Sequence, residues 1–370
     1  MKRLKALIKM EMKPALLMGI LFLATNMLFL LMLQGNMNSM WQVYLGGGLT
    51  GYFGWRRLIN IIGEMFFQYN ILVGTLYMIL LIILVFSTFR YEKSIEVSRF
   101  LKSLPYTERE RCLVKVGVGV GVLTIGLLMY MVGLLYLHHY SMGLFQEIME
   151  VTALGSIAEE IFDLGKLLKM LALMYIVLVA IYLFMMMVQY MVSSRLAGII
   201  IGILSAVAPL FMAVSLRDIF DISSDTWIGE VIDGFIYLMV GFTGGVELFS
   251  EETGNFYARY TYLSGFGYHI AFYVVIIILV AVTIVYFTKN NRLEDSDLLI
   301  PHPVVRIIFI VGVSICSGCS SYYILNVFLG YVLLITVHPI VLFIVGVIIG
   351  FLIAKKIAYI GIKKRKEVKA

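Results

Sequence analysis

Cys316-Ser-Gly-Cys319 places two sulfurs at the spacing used to exchange a disulfide or to hold zinc. Structural zinc needs a full tetrahedral ligand set. The remaining cysteine is Cys112, and no histidine stands near the pair in sequence. The pair falls inside a long apolar run, where small side chains serve close helix packing. His138-His139 are adjacent, so on a helix their rings point ~100° apart, unlike the i, i+4 pair of a zinc-binding helix. His302 and His338 each precede a proline, which suits interfacial contact or helix capping. Glu159-Glu160 would need the spacing Glu-Glu-x-x-x-Arg to form a paired-glutamate protease site. Gly165 and Lys166 follow instead, and the stretch reads as a solvated loop. Gly165-Lys166 fails in turn as a phosphate-binding loop. Such a loop needs Gly-x-x-x-x-Gly-Lys and then Ser or Thr, because its N–H groups cradle phosphates and its lysine reaches them. Glu160 stands at the first glycine position and Leu167 follows the lysine. No residue set reads as catalytic, metal-binding or nucleotide-binding, so the chain is expected to be no enzyme, and its work must be read from its other elements.

The elements that would do that work are membrane spans. Of 370 residues, 61% are hydrophobic and 14% charged, with a mean hydropathy of +0.96. No soluble domain of this size buries so much apolar surface. A spanning helix needs ~20 apolar residues. Eight runs qualify: Pro14–Leu33, Ile71–Phe89, Leu113–Leu137, Leu167–Met191, Leu196–Leu216, Tyr268–Thr288, Val305–Leu325 and Val332–Ala354. The first run is too long for a cleavable signal peptide and lacks a small-x-small site after it. With the N-terminus inside, the inner segments carry 23 basic and 9 acidic residues, and the outer ones 6 and 14. That asymmetry predicts both termini in the cytoplasm. The basic tail, with Lys363, Lys364, Arg365 and Lys366, is expected on anionic lipid at ~1 kcal/mol per residue. A pI near 9.0 is thus an orientation signal; no aromatic-interleaved basic groove suggests nucleic acid.

Charge is nearly absent from the run interiors, where Asn26 and Gln189 are the main polar marks. A proton-coupled carrier usually places ionisable groups there, so that class is disfavoured. Met185-Met186-Met187 reads as filler, although adaptable methionines also suit greasy cargo. Outside, Trp41 and Trp55 suit the membrane–water interface. Val231–Phe249 is apolar but broken by glycines, and it carries Asp233 and Glu247. It is expected either as a re-entrant helical hairpin with its backbone buried in protein or as a partly buried outer loop.

The densest charge lies between the second and third runs: Phe89–Lys115 holds eleven charged residues. Val97, Phe100, Leu101 and Leu104 fall at i, i+3, i+4 and i+7, one face of a helix. Glu92, Lys93, Glu96, Arg99 and Lys102 cover most of the rest. Pro105 ends that helix, and Thr107-Glu-Arg-Glu110 predicts a capping box that starts the next one. The apolar stripe needs lipid headgroups, the rest of the protein or a partner to bury against. Mixed charge favours a docking helix for a cytoplasmic partner.

Three segments carry a resemblance to a known family. Glu92-Lys93, the stretch Phe100–Pro105, Arg109 and Lys115 resemble the cytoplasmic loop of ABC-2-type ABC transporter permeases, in the group similar to the YtrC/YtrD-like permeases of Gram-positive bacteria. "LKALIKMEMKPALL" resembles the family's amphipathic elbow helix, with Leu4, Leu7 and Ile8 as its membrane-surface stripe. Asn290–Pro303 resembles the loop after the sixth span. Two features depart from the family: Glu96 and Val97 stand where a glycine is usual, and eight spans exceed its six. The resemblance implies an all-α permease domain whose coupling helix (Glu92, Lys93, Glu96, Val97, Arg99, Phe100, Leu101, Lys102, Leu104) docks on a separate ATPase subunit. ATP and Mg would bind that partner and not this chain; Leu263–Gly267, "LSGFG", lacks the continuation of an ATPase signature. It further implies a second permease chain, identical or related, a bacterial plasma membrane, and export of a lipophilic or amphipathic compound such as a peptide antibiotic or cell-envelope component. The alternatives are a sensing or immunity membrane protein without net transport, and a secondary carrier without ATPase.

Overall fold

A computed structural model describes residues 2–46, 72–90, 106–152, 163–240, 246–250, 256–260, 265–290, 298–329 and 337–360. Their elements are α1 (Lys2–Leu45), α2 (Leu72–Thr88), α3 (Glu108–Thr152), α4 (Leu164–Met191), α5 (Arg195–Ile219), α6 (Trp227–Val240), β1 (Val246–Ser250), β2 (Phe256–Tyr260), α7 (Phe266–Asn290), α8 (Pro303–Val327) and α9 (Pro339–Ala358). Seven of the helices are long and apolar enough to cross a membrane, and the shorter α2 is also apolar. These eight fall on the eight runs read from the sequence. The chain is an all-α, multi-pass membrane protein; among the described residues β1 and β2 add one antiparallel strand pair. Its contacts form two units, one of Met1–Leu84, Leu113–Tyr182 and Val240–Ile277, the other of Val85–Cys112, Leu183–Met239 and Ile278–Ala370.

In the first unit α1 and α3 are paired. The buried positions of α1 are Leu7, Met18 and Phe29; Glu11, Phe22 and Leu33; and Ala15, Asn26 and Met37, each set stepping by eleven. On α3, Lys115, Gly126 and Leu137 are buried at the same step, as are Gly119 with Tyr130 and Leu123 with Leu134. A step of eleven is ~3.67 residues per turn, which winds a helix pair right-handedly. Glu11 meets Lys115, Phe22 faces Gly126 and Leu30 faces Gly133, so the two helices run parallel. Asn26 Nδ2 donates to the Gly126 carbonyl at 2.8 Å and Tyr77 Oη donates to Asn26 Oδ1 at 2.6 Å. The one polar mark of the first run is thereby satisfied, as apolar surroundings require. α4 runs against α3: Tyr182 Oη donates to the Lys115 carbonyl at 3.0 Å, and Thr124 and Tyr175 share a hydroxyl contact of 2.8 Å. A Cβ at Gly119 would lie 1.9 Å from Tyr182 Oη, so this helix pair needs glycine there. Leu173, Val177 and Ala180 of α4 pack on Tyr273 of α7.

In the second unit α8 and α9 pack antiparallel through small residues. Leu342, Gly346, Gly350, Ala354 and Ala358 form one buried row on α9. Gly346 lies against Ser317 and Ser321, and Gly350 against Ser314 and Ser317. Between helices in lipid, such close approach replaces the hydrophobic drive that water would supply. Cys316 and Cys319 sit on α8 as free thiols, Cys319 buried. They belong to the packing, as the apolar run implied.

Some boundaries differ from the expectation. Residues 2–13, which fall in the elbow expected over 1–13, are the first turns of α1, which continues through Pro14. Proline removes one backbone bond, but Leu7 and Glu11 before it and Ala15 after it lie on the same buried face. Packing therefore holds the helix on both sides of the proline. The last helix starts at Pro339, not at Val332. His338 is extended, as a residue before proline must be, and its Nδ1 accepts from the Ile340 N–H at 3.3 Å. Val231–Phe249 is not a helical hairpin. Its first part is α6, and its end is β1, whose Val246 and Ser250 oppose Tyr260 and Phe256 of β2.

Candidate functional site

The expected function depends on the helix ends that the charge asymmetry assigns to the cytoplasm. Within the second unit these ends are joined. α4 and α5 are separated only by residues 192–194, where Ser194 caps α5, its Oγ accepting from the Ala197 N–H at 3.5 Å. Arg195 follows directly. Its guanidinium carbon lies 3.7 Å from the centre of the Phe86 ring, near the end of α2. One turn on, Phe89 meets Tyr190 of α4 edge to face at 5.2 Å. Gln189 Nε2 donates to the Arg195 carbonyl at 3.1 Å, and Gly198 leaves room for that amide.

The same turn holds the segment that enters α8. The Ser193 N–H donates to the Leu299 carbonyl at 3.0 Å, and its hydroxyl donates to the Leu298 carbonyl. Leu298 and Ile300 are buried. Arg306 Nη2 then donates to the carbonyls of Ile300 and Pro301 at 3.1 and 3.3 Å, and its guanidinium carbon lies 5.1 Å from the Tyr359 ring at the end of α9. Cation–π contacts and buried backbone bonds of this kind each contribute about 1 kcal/mol. The ends of α2, α4 and α9 and the starts of α5 and α8 are thus joined by these contacts. Away from this junction, Tyr323 Oη donates to Asp218 Oδ2 at 2.6 Å, joining the other ends of α5 and α8.

α3 starts as its sequence predicts. The Thr107 N–H donates to Glu110 Oε2 at 2.8 Å and the Glu110 N–H donates to Thr107 Oγ1 at 3.2 Å. Arg111 and Glu108 are 3.8 Å apart. Two turns into the helix, Lys115 Nζ meets Glu11 Oε1 at 3.5 Å, with side chains 1% and 9% exposed. A charged segment ending at Pro105 therefore feeds a firmly started helix that is ion-paired to α1.

The residues read as docking, Glu92, Lys93, Glu96, Val97, Arg99, Phe100, Leu101, Lys102 and Leu104, lie outside the described residues, as do Lys363, Lys364, Arg365 and Lys366. Leu7 is buried and Ile8 half-buried in α1; the Leu4 side chain is outside what is described. Asp233 stands on α6 and pairs with Arg217, while Glu247 stands on β1. Arg195 and the Glu11–Lys115 pair were not singled out from sequence. Arg195 had a signal, being the lone charge in a short turn between two apolar runs. The ion pair had one only in the shared eleven-residue step. Among the described residues no three His, Cys, Asp or Glu side chains converge as metal ligands. No family model matches the chain, and no match was found among curated proteins or solved structures.

Proposed function

We propose that this chain is the membrane-spanning permease subunit of an ABC transporter, driven by a separate ATPase subunit that binds ATP and Mg. The reading rests on the resemblance of the segment between α2 and α3. One structural observation carries it further: the helix ends flanking that segment are tied to other ends. Phe86 and Phe89 join it to the α4–α5 turn, which holds Leu298 and Leu299. On its other side the Thr107–Glu110 box starts α3, and Lys115 ties α3 to α1. A displacement applied to the segment by a closing ATPase pair would reach most spans at once. A bundle with two packings converts such a push into opening of a cavity. The cargo is a lipophilic or amphipathic compound moved outward across a bacterial plasma membrane, by two permease chains over two ATPases.

The docking face would be Val97, Phe100, Leu101 and Leu104, rimmed by Arg99 and Lys102. Burying one such Phe or Leu is worth ~1.5–3 kcal/mol. Phe100→Ala with Leu101→Asp should abolish cargo-stimulated ATP hydrolysis while the purified chain keeps its helical spectrum. Unchanged stimulation in that variant would refute the docking assignment. One observation favours a second reading, a carrier with no ATPase: the buried Glu11–Lys115 pair is the ionisable kind that carriers place among their spans. Transport into vesicles driven by a proton gradient alone would select it.

A further inference from the structure

α6 is too short to span, yet it is built with care. Seven residues separate it from the end of α5 at Ile219. In that turn the Phe220 N–H donates to the Leu216 carbonyl at 3.1 Å, Asp221 takes a left-handed φ of 49°, and the Ile222 N–H donates to the Arg217 carbonyl at 3.0 Å. Thr226 caps the helix: its Oγ1 accepts from the Gly229 N–H at 3.1 Å and donates to the Ser223 carbonyl at 2.8 Å. A Cβ at Gly229 would lie 2.0 Å from that same carbonyl, so only glycine lets the helix fold down onto its own turn. Arg217 fixes both parts, Nη2 donating to Ser224 Oγ at 2.5 Å and Nη1 to Asp233 Oδ1. Asp233 and Glu230 mark one side of the helix. Trp227, Ile228 and Val231 lie on the other, with Trp227 74% and Val231 63% exposed.

We propose that α6 lies along the membrane–water boundary, with phospholipid against its exposed Trp227, Ile228 and Val231. The tether places the helix at the level where a spanning helix ends. Val207 and Val214 of α5 are exposed as well, as side chains that face acyl chains must be. Amphipathic helices of this kind bury their apolar face ~5–10 Å into the headgroup–acyl boundary, and tryptophan prefers that depth. The acidic side, Glu230 with Asp225 beyond the cap, faces water. Arg217 then transmits any shift of the helix to the end of α5. This inference is independent of the transporter reading.

The test uses the full chain with Trp41→Phe and Trp55→Phe, leaving Trp227 as the only tryptophan. In bilayers of phosphatidylcholine brominated near the headgroup, its emission should be blue-shifted and lose most of its intensity; aqueous iodide should quench it weakly. Quenching by iodide without quenching by bromolipid would overturn the proposal. Resistance to both would also overturn it, since a second copy or another segment would then cover the helix. Spin labels give a check that leaves the tryptophans in place. A label at Val231→Cys should collide with oxygen and one at Glu230→Cys with a water-soluble nickel chelate; equal exposure of both to nickel would overturn the same claim.

Discussion

The Glu11–Lys115 pair makes the sharpest energetic prediction. Its atoms are 3.5 Å apart with both side chains almost wholly withdrawn from solvent. At an effective dielectric of about 20, unit charges at that distance attract by about 5 kcal/mol. Bringing both charges out of water costs a similar amount, so the net worth of the intact pair is small. Removing one partner is different, because the other charge keeps its cost of burial and loses this attraction. Glu11→Leu or Lys115→Met alone should therefore lower stability by about 3–5 kcal/mol. Glu11→Leu together with Lys115→Met should sit within about 1–2 kcal/mol of the parent, since a packed apolar pair replaces the ions. The assay is reversible unfolding of the chain in mixed micelles, read as a double-mutant cycle. The hydroxyl of Tyr182 binds the Lys115 carbonyl, not its ammonium, so it survives both changes. The reasoning fails if each single variant matches the parent, which would mean that water reaches the pair. It fails equally if the double variant loses the sum of the two single losses.

Gly346→Leu should push α8 and α9 apart, because even a Cβ there lies 2.3 Å from Ser321 Oγ and 2.7 Å from the Ser317 carbonyl. A loss above about 3 kcal/mol is expected, whereas Gly312→Ala, with nothing within 4 Å, should be silent in the same melt. Thr107→Ala removes one half of the capping box and should cost ~0.5–2 kcal/mol. Hydrogen exchange should then rise in the first turn of α3 and nowhere in α8 or α9. Arg195→Lys keeps the charge but loses the flat stack on Phe86; turnover coupled to cargo should fall while thermal stability changes by no more than about 1–2 kcal/mol.

Hydropathy located every apolar run, because a bilayer demands length and apolarity and little else. The Thr107–Glu110 box was equally legible, since its two reciprocal bonds lie within four residues. What lay hidden was tertiary. Pro14 opens the first apolar run, and the resemblance implied a separate elbow before it; packing on both sides makes the two one helix. Val231–Phe249 is apolar, broken by glycines and marked by two acids, which left its shape open; the close fit of Gly229 on Ser223 and the Arg217 fork give its first part a defined place. Glu11 and Lys115 stand 104 positions apart, so only the facing of two helices pairs them. Arg195 was counted for orientation, although its ring contact needed the end of α2 to be in place.

The central claim is that force reaches these spans from a separate ATP-hydrolysing subunit through the segment between α2 and α3. The most direct measurement is photo-cross-linking from position 100 in native membranes, followed by isolation in mild detergent and an ATPase assay of the cross-linked complex. The account predicts a covalent adduct to a nucleotide-binding protein whose formation changes with ATP. Adducts confined to lipid or to this chain, in a preparation that hydrolyses no ATP, would contradict it.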